Sequence, residues 1–232
     1  MTSLAQSTTD TSGGFYTVSE AARLLKIDKA SRIVRWLNPT AGGAPPIVHR
    51  TYPKAGIQHE LSFLDLMEVR FVEHFRKGKI SLQSLRVAAK NARRELGVAH
   101  PFATSNVKFQ SDRKQIFLDT ARETGDRVLL NLMTNQLAIY EFFEQSFAKG
   151  LEFDVSGLAR QWRPAPEAAP DVIVSPLYAF GQPVISQRHV PTATLLDSWR
   201  ANDGDMGLVA NWYSISEAEA RQAVDFELRT LN

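Results

Sequence analysis

The 232-residue chain contains no cysteine. That absence excludes disulfides, thiolate metal sites and cysteine nucleophiles, and it leaves the redox compartment unmarked. No apolar run approaches the roughly 18 residues a membrane span needs, and the N-terminus has neither the basic start nor the apolar core of a signal peptide. The expectation is a cytoplasmic protein with no membrane partner. Histidines are few and scattered, at His49, His59, His74, His100 and His189. None forms an i, i+4 ligand pair, so no metal is expected. Nucleophile elbows, phosphate-cradling glycine loops and paired-metal motifs are also missing, which argues against an enzyme and against a cofactor. Asp203-Gly-Asp205 lacks the spacing of a calcium loop and reads as a turn.

What is present is ordinary globular composition, 44% apolar and 22% charged, with the charge unevenly placed. Residues 1–100 carry 15 Lys and Arg against 8 Asp and Glu, a net of +7, and residues 101–232 carry 12 against 17, a net of −5. A basic first part is the electrostatic footprint of a nucleic-acid binder, and the acidic remainder is unsuited to phosphate contact.

The run from Tyr16 to Leu37 reads as two short helices joined by a tight turn. Thr17 caps the first, with Glu20 three residues on in the capping-box arrangement. Val18, Ala21, Ala22 and Leu25 repeat at helical spacing, as do Ile33, Trp36 and Leu37. This is a helix-turn-helix, which lays its second helix in the major groove of double-stranded DNA. Lys29, Ser31, Arg32 and Arg35 are the polar positions that would meet it, with Thr17 at the first helix's start. Arg32 is the leading candidate for a guanine edge, and Lys29 and Ser31 for phosphate.

After the turn-rich residues 38–46, the β-prone stretch Ile47 to Tyr52 and a second at Ile57 to Leu61 suggest a two-stranded wing. Its Arg50, Tyr52 and Lys54 would reach a second strip of backbone. Ser62 starts a third helix with an apolar stripe at Phe63, Leu66, Met67, Phe71 and Phe75, ended by Gly78, and a fourth runs from Ser81 to Leu96. Short strands are expected at Asn106 to Gln110, Gln115 to Asp119, Val128 to Leu132 and Leu137 to Tyr140, followed by a helix holding Tyr140, Phe142, Phe143 and Phe147. Together with Trp162 those aromatics are expected to close a core, because their neighbours Glu141 and Glu144 are unsuited to base stacking. Residues 163–170 are proline-rich and read as a semi-extended linker. Beyond it come short strands at Asp171 to Val174 and Pro183 to Ile185, then helices from Thr192, near Gly204 and from Ser216.

The fold class is therefore α+β and mainly helical. It divides into a tail (1–14), an N-terminal winged helix-turn-helix (15–100), a small central β-rich segment with hairpins (101–163), the linker (164–170) and a C-terminal three-helix domain with short strands (171–232).

The stretch from Tyr16 through Leu61-Ser-Phe-Leu-Asp-Leu-Met-Glu-Val-Arg70 to Leu85 resembles a MerR-type winged helix-turn-helix. Val174-Ser-Pro-Leu-Tyr-Ala-Phe-Gly-Gln-Pro-Val-Ile185, Val190-Pro-Thr192, Ala210-Asn-Trp-Tyr213 and Val224-Asp-Phe-Glu227 resemble the domain of unknown function 433. In this order the two resemble VapB-forty-five-like antitoxins, from Phe15 to the C-terminus. Ser175-Pro176 and Ser186-Gln-Arg188 depart from the usual Asp-Pro and Gly-Thr-Arg of the second domain.

The resemblance implies an antitoxin that neutralises a cognate PIN-domain (VapC-like) ribonuclease toxin by direct contact and represses its own operon. An antitoxin can enter such a nuclease's carboxylate cluster with a false cation, but Arg188, Arg200 and Arg221 read first as surface charges, and no toxin-binding residue is assigned. The alternative is a one-component MerR-like regulator whose C-terminal part dimerises or binds a ligand, with no toxin partner. A homodimer is expected in both cases, since operators commonly repeat a half-site about one turn apart.

Overall fold

The computed structural model describes residues 13–53, 60–104, 108–135, 141 and 149–231. Thr17 caps α1 (Val18–Leu24): its hydroxyl accepts from the Glu20 N–H at 3.2 Å, and the Glu20 carboxylate accepts from the Thr17 N–H at 2.8 Å. The expected capping box is formed. A turn through Lys26, at φ 52°, leads to α2 (Ala30–Leu37), which buries Ile33, Trp36 and Leu37. α3 (Phe63–Lys77) and α4 (Leu82–Leu96) also lie where the apolar spacing put them, capped by Ser62 and Ser81.

Where strands are expected at 106–110, 115–119 and 128–132, the described residues are helical instead: α5 (Lys108–Thr124) and α6 (Arg127–Thr134). The run Ile116-Phe-Leu118 looks like a strand in isolation, yet the buried set is Ile116, Phe117, Thr120 and Ala121, one face of a helix. Phe117 joins Phe71 and Phe75 of α3 and Phe102 of the 3-10 turn Pro101–Ala103, with ring centroids 4.2 Å apart for Phe71–Phe102 and 5.1 Å for Phe75–Phe117. Asp126 fixes the corner where α4 and α6 begin, accepting from the Leu129 N–H at 3.0 Å, the Ser84 hydroxyl at 2.7 Å and the Ser81 N–H at 3.1 Å. The expected strand at 137–140 and the aromatics Tyr140, Phe142, Phe143 and Phe147 lie outside the described residues.

The wing is a second correction. Residues 47–52 form no strand, and β2 (Glu60–Leu61) pairs antiparallel with β1 (Tyr16–Thr17). Ile47 and Val48 are fully buried and donate their N–H groups to the Trp36 carbonyl, so this stretch closes the end of α2. The antiparallel hairpin of the central segment is β3 (Leu151–Phe153) with β4 (Ala159–Trp162). Of the expected tail, Gly13 and Gly14 are packed: the Gly13 carbonyl accepts from the Phe63 N–H at 3.0 Å and Gly14 is buried.

Residues 163–170 fold back on themselves instead of extending. The Ala169 N–H donates to the Ala165 carbonyl at 2.7 Å, and Trp162 and Val174, on either side of the stretch, exchange two backbone hydrogen bonds of 2.8 and 2.7 Å. β5 (Val172–Ile173) then pairs antiparallel with β6 (Val184–Ile185), and α7 (Thr192–Ala201), α8 (Met206–Tyr213) and α9 (Glu217–Leu231) pack beside them. Asp205 ends the Asp203–Asp205 turn by capping α8, and Ser216 and Glu219 form the capping box of α9. Among the described residues, no helix is long and apolar enough to cross a membrane.

α3 carries three carboxylates inside the protein. Asp65 accepts from the N–H groups of Ser62, at 2.9 Å, and Thr51, at 3.1 Å. Glu68 accepts from the Phe102 N–H at 3.3 Å and faces Arg93 at 3.7 Å. His100 completes the cluster, with Nε2 3.2 Å from the Thr51 hydroxyl and Nδ1 3.6 Å from Asp65 and 3.7 Å from Glu68. Burial works against the imidazolium, but the two carboxylates outweigh it and raise the His100 pKa above 6.5. Burial likewise raises the pKa of Asp65.

A group whose pKa rises on folding stabilises the protein most below its unfolded pKa, and that contribution is lost as pH climbs through the folded value. Thermal stability should therefore fall as pH rises above about 6.5, a His100→Gln variant should lose much of that slope, and melting curves across the range measure both.

Candidate nucleic-acid interface

α2 exposes Ser31 and Arg35 one turn apart on a common face, with Lys29 exposed at its N-cap. These three stand as the spacing proposed. Arg32 stands differently. Its guanidinium donates to the Glu73 carboxylate at 2.8 Å and lies over the Trp36 ring, 5.6 Å from the centroid. Glu73 is only 5% exposed, and Lys77 approaches its other oxygen at 3.9 Å. Arg32 thus holds α2 to α3, and Arg35 is the arginine of α2 that points to solvent.

The remaining candidates divide. The Thr17 hydroxyl is engaged with Glu20 in the cap of α1. Tyr52 stacks on Phe15 at 4.7 Å and donates its hydroxyl to the Gly14 carbonyl at 2.9 Å, so it braces the chain's start. Arg50 is half-buried on the same segment, and Lys54 lies outside the described residues.

Much of the basic excess of residues 1–100 is directed inward. Arg86 donates to the carbonyls of Pro45 and Arg35, and Arg93 to those of Ile47 and Ala99, so two arginines of α4 clamp the chain that leaves α2. Arg76 donates to the Ile80 carbonyl. Arg70 donates to the Lys149 carbonyl and lies over Trp162, where burial lowers its pKa to about 10. The net charge of this half therefore overstates what it offers a phosphate backbone. Outward-facing cations of the helix-turn-helix are Lys26, Lys29 and Arg35.

α1 is held at its start by the 3-10 turn Ala179–Gly181 between β5 and β6, and at its end by α9. Arg23, in its last turn, donates to Glu227 of α9 at 2.7 Å, and that carboxylate, 3% exposed, also accepts from the Thr192 hydroxyl at 2.5 Å. Tyr16, just before the cap, donates its buried hydroxyl to the Gly181 carbonyl at 2.7 Å, while the Phe15 N–H donates to the Phe180 carbonyl at 3.0 Å. Gly181 has φ +91°, and a Cβ there would stand 2.3 Å from the Tyr16 oxygen. Only glycine allows this approach.

Sequence spacing missed both sets of partners. A signal was available: Glu73 and Glu227 fall on the apolar faces of their helices, where a carboxylate requires a cation or a donor. Among the described residues, no group of three or more His, Asp or Glu side chains could hold a metal ion.

No family model matches the chain. A protein of Mycobacterium tuberculosis (strain ATCC 25618 / H37Rv) named "Putative antitoxin VapB45" is 24% identical over 226 residues, spanning 90% of this chain and 92% of that protein. The crystal structure of Rv2018 from Mycobacterium tuberculosis is similar with a TM-score of 0.68 at 21% identity, covering 90% of this chain and 97% of that one. The two share a fold, and along most of its length the chain is similar to a VapB-like antitoxin.

Proposed function

We propose that the protein is the antitoxin of a type II toxin-antitoxin module. It binds and silences a PIN-domain, VapC-like ribonuclease toxin, and as a cytoplasmic homodimer it represses its own operon through the helix-turn-helix. The observation that carries this reading is the similarity to the protein named "Putative antitoxin VapB45", which extends over 90% of the chain. The exposed Lys29, Ser31 and Arg35 on a braced α2 support the DNA arm. The catalytic and cofactor roles stay empty in this reading: the protein acts by covering a nuclease and occupying an operator.

Co-expression with the product of the adjacent gene tests the antitoxin arm. The expected result is a complex that survives size-exclusion chromatography and in which ribonuclease activity is suppressed. A protein that binds its promoter but ignores its neighbour would instead be a one-component regulator.

The DNA arm is tested by two arginines with different surroundings. Arg35→Ala should weaken promoter binding by about 1–3 kcal/mol in gel shifts and leave the melting temperature unchanged. Arg32→Ala should also lower fold stability by about 1.5–3 kcal/mol, because it deprives the buried Glu73 carboxylate of its short hydrogen bond. Equal melting temperatures for the two variants would contradict the assigned division.

A further inference from the structure

The structure gives the far end of the chain a part in presenting the helix-turn-helix. α1 is only seven residues long, too short to be stable on its own, so its position is set by what grips it. β2 pairs with Tyr16 and the cap Thr17, and α2 packs beside it. The other two grips come from the turn between β5 and β6 and from α9: the Gly181 carbonyl on Tyr16 and the Glu227 carboxylate on Arg23. The first is buried, and in the second the carboxylate is buried while the Arg23 side chain is 28% exposed. Glu227 divides its oxygens between Arg23 and Thr192, and the Thr192 N–H is in turn held by the Pro183 carbonyl at 2.9 Å, so the grip on Arg23 is braced by β6 and α7.

In a helix-turn-helix the first helix crosses the phosphate backbone, so an arginine in its last turn would ordinarily be counted as a phosphate ligand. Here the guanidinium of Arg23 is turned to a carboxylate of α9 at 2.7 Å. We propose that Glu227 and the Gly181 carbonyl are positioning groups for DNA recognition: through Arg23 and Tyr16 they fix α1, and with it the angle at which α2 offers Ser31 and Arg35. The proposal rests on the DNA-binding half of the function proposed above. It gives opposite signs to two roles of Arg23. If Arg23 is a brace, loss of Glu227 weakens DNA binding; if it is a phosphate ligand held in reserve, loss of Glu227 releases it and strengthens binding.

The test uses the full chain and a fluorescent duplex of its own promoter, with Glu227→Gln, Tyr16→Phe, Arg23→Ala and the Arg23→Ala/Glu227→Gln double variant. Each single change should lower affinity about tenfold, and the double should be no weaker than the weaker single, since both remove one contact. The dependence of affinity on salt should keep its wild-type slope, because no phosphate contact is lost. Without DNA, amide exchange over Val18–Leu24 should quicken in Glu227→Gln and in Tyr16→Phe.

Promoter binding by Glu227→Gln as tight as wild type or tighter overturns the proposal. So does a shallower salt slope for Arg23→Ala, or unchanged exchange in α1. Should Glu227→Gln fail to fold, Tyr16→Phe, which removes one hydroxyl and keeps the ring, carries the same comparison. Wild-type protein that ignores its promoter would defeat the DNA-binding reading itself, and the exchange rates of α1 then decide whether the C-terminal helices grip it.

Discussion

Three carboxylates of α3 decide how α2, α4 and the stretches at Thr51 and Phe102 assemble on that helix. Asp65 holds the Thr51 stretch, Glu68 receives the Phe102 backbone and faces Arg93, and Glu73 takes Arg32 of α2. A carboxylate without such partners inside a protein costs several kcal/mol, so each of these side chains admits few arrangements of its surroundings. The phenylalanines of the same helix supply bulk attraction without direction. The acids supply the direction, because a hydrogen bond or ion pair is satisfied at one distance and angle while an apolar contact tolerates many.

The same economy governs the charge of the molecule. A net of +7 over the first hundred residues suggests a broad cationic face. Arg23, Arg32, Arg70, Arg76, Arg86 and Arg93 instead serve as internal struts to carboxylates, carbonyls and two tryptophans. Arginine suits this work because its planar fork serves several acceptors at once. What faces outward from the helix-turn-helix is a narrow strip, and recognition of an operator would rest on the geometry of α2 more than on a diffuse positive field.

The local rules read well wherever one element sufficed. Caps at Thr17, Ser62, Ser81 and Ser216, the stop at Gly78, and the helical spacing of α1 to α4 were legible because each depends on residues within four positions of one another. α5 was misread because Ile116-Phe-Leu118 is β-prone over three residues and helical only when Thr120 and Ala121 are counted with it. The wing was misread because Ile47 and Val48 answer to Trp36 and the core, a tertiary demand that overrides strand propensity. Lys29, Ser31 and Arg35 of the candidate interface were legible as the polar face of α2. Arg32 was not, since its partner lies 41 residues away and nothing local distinguishes a tethered arginine from a free one.

The grips on α1 also carry a consequence for how the protein is made. Arg23 and Glu227 are 204 residues apart in sequence, and Tyr16 and Gly181 are 165 apart. At a synthesis rate of about 5–20 residues per second, α1 leaves the ribosome roughly 10–40 s before the residue that secures its last turn. Through that interval α1 lacks Glu227, and Arg23 gains this partner only once α9 has been translated.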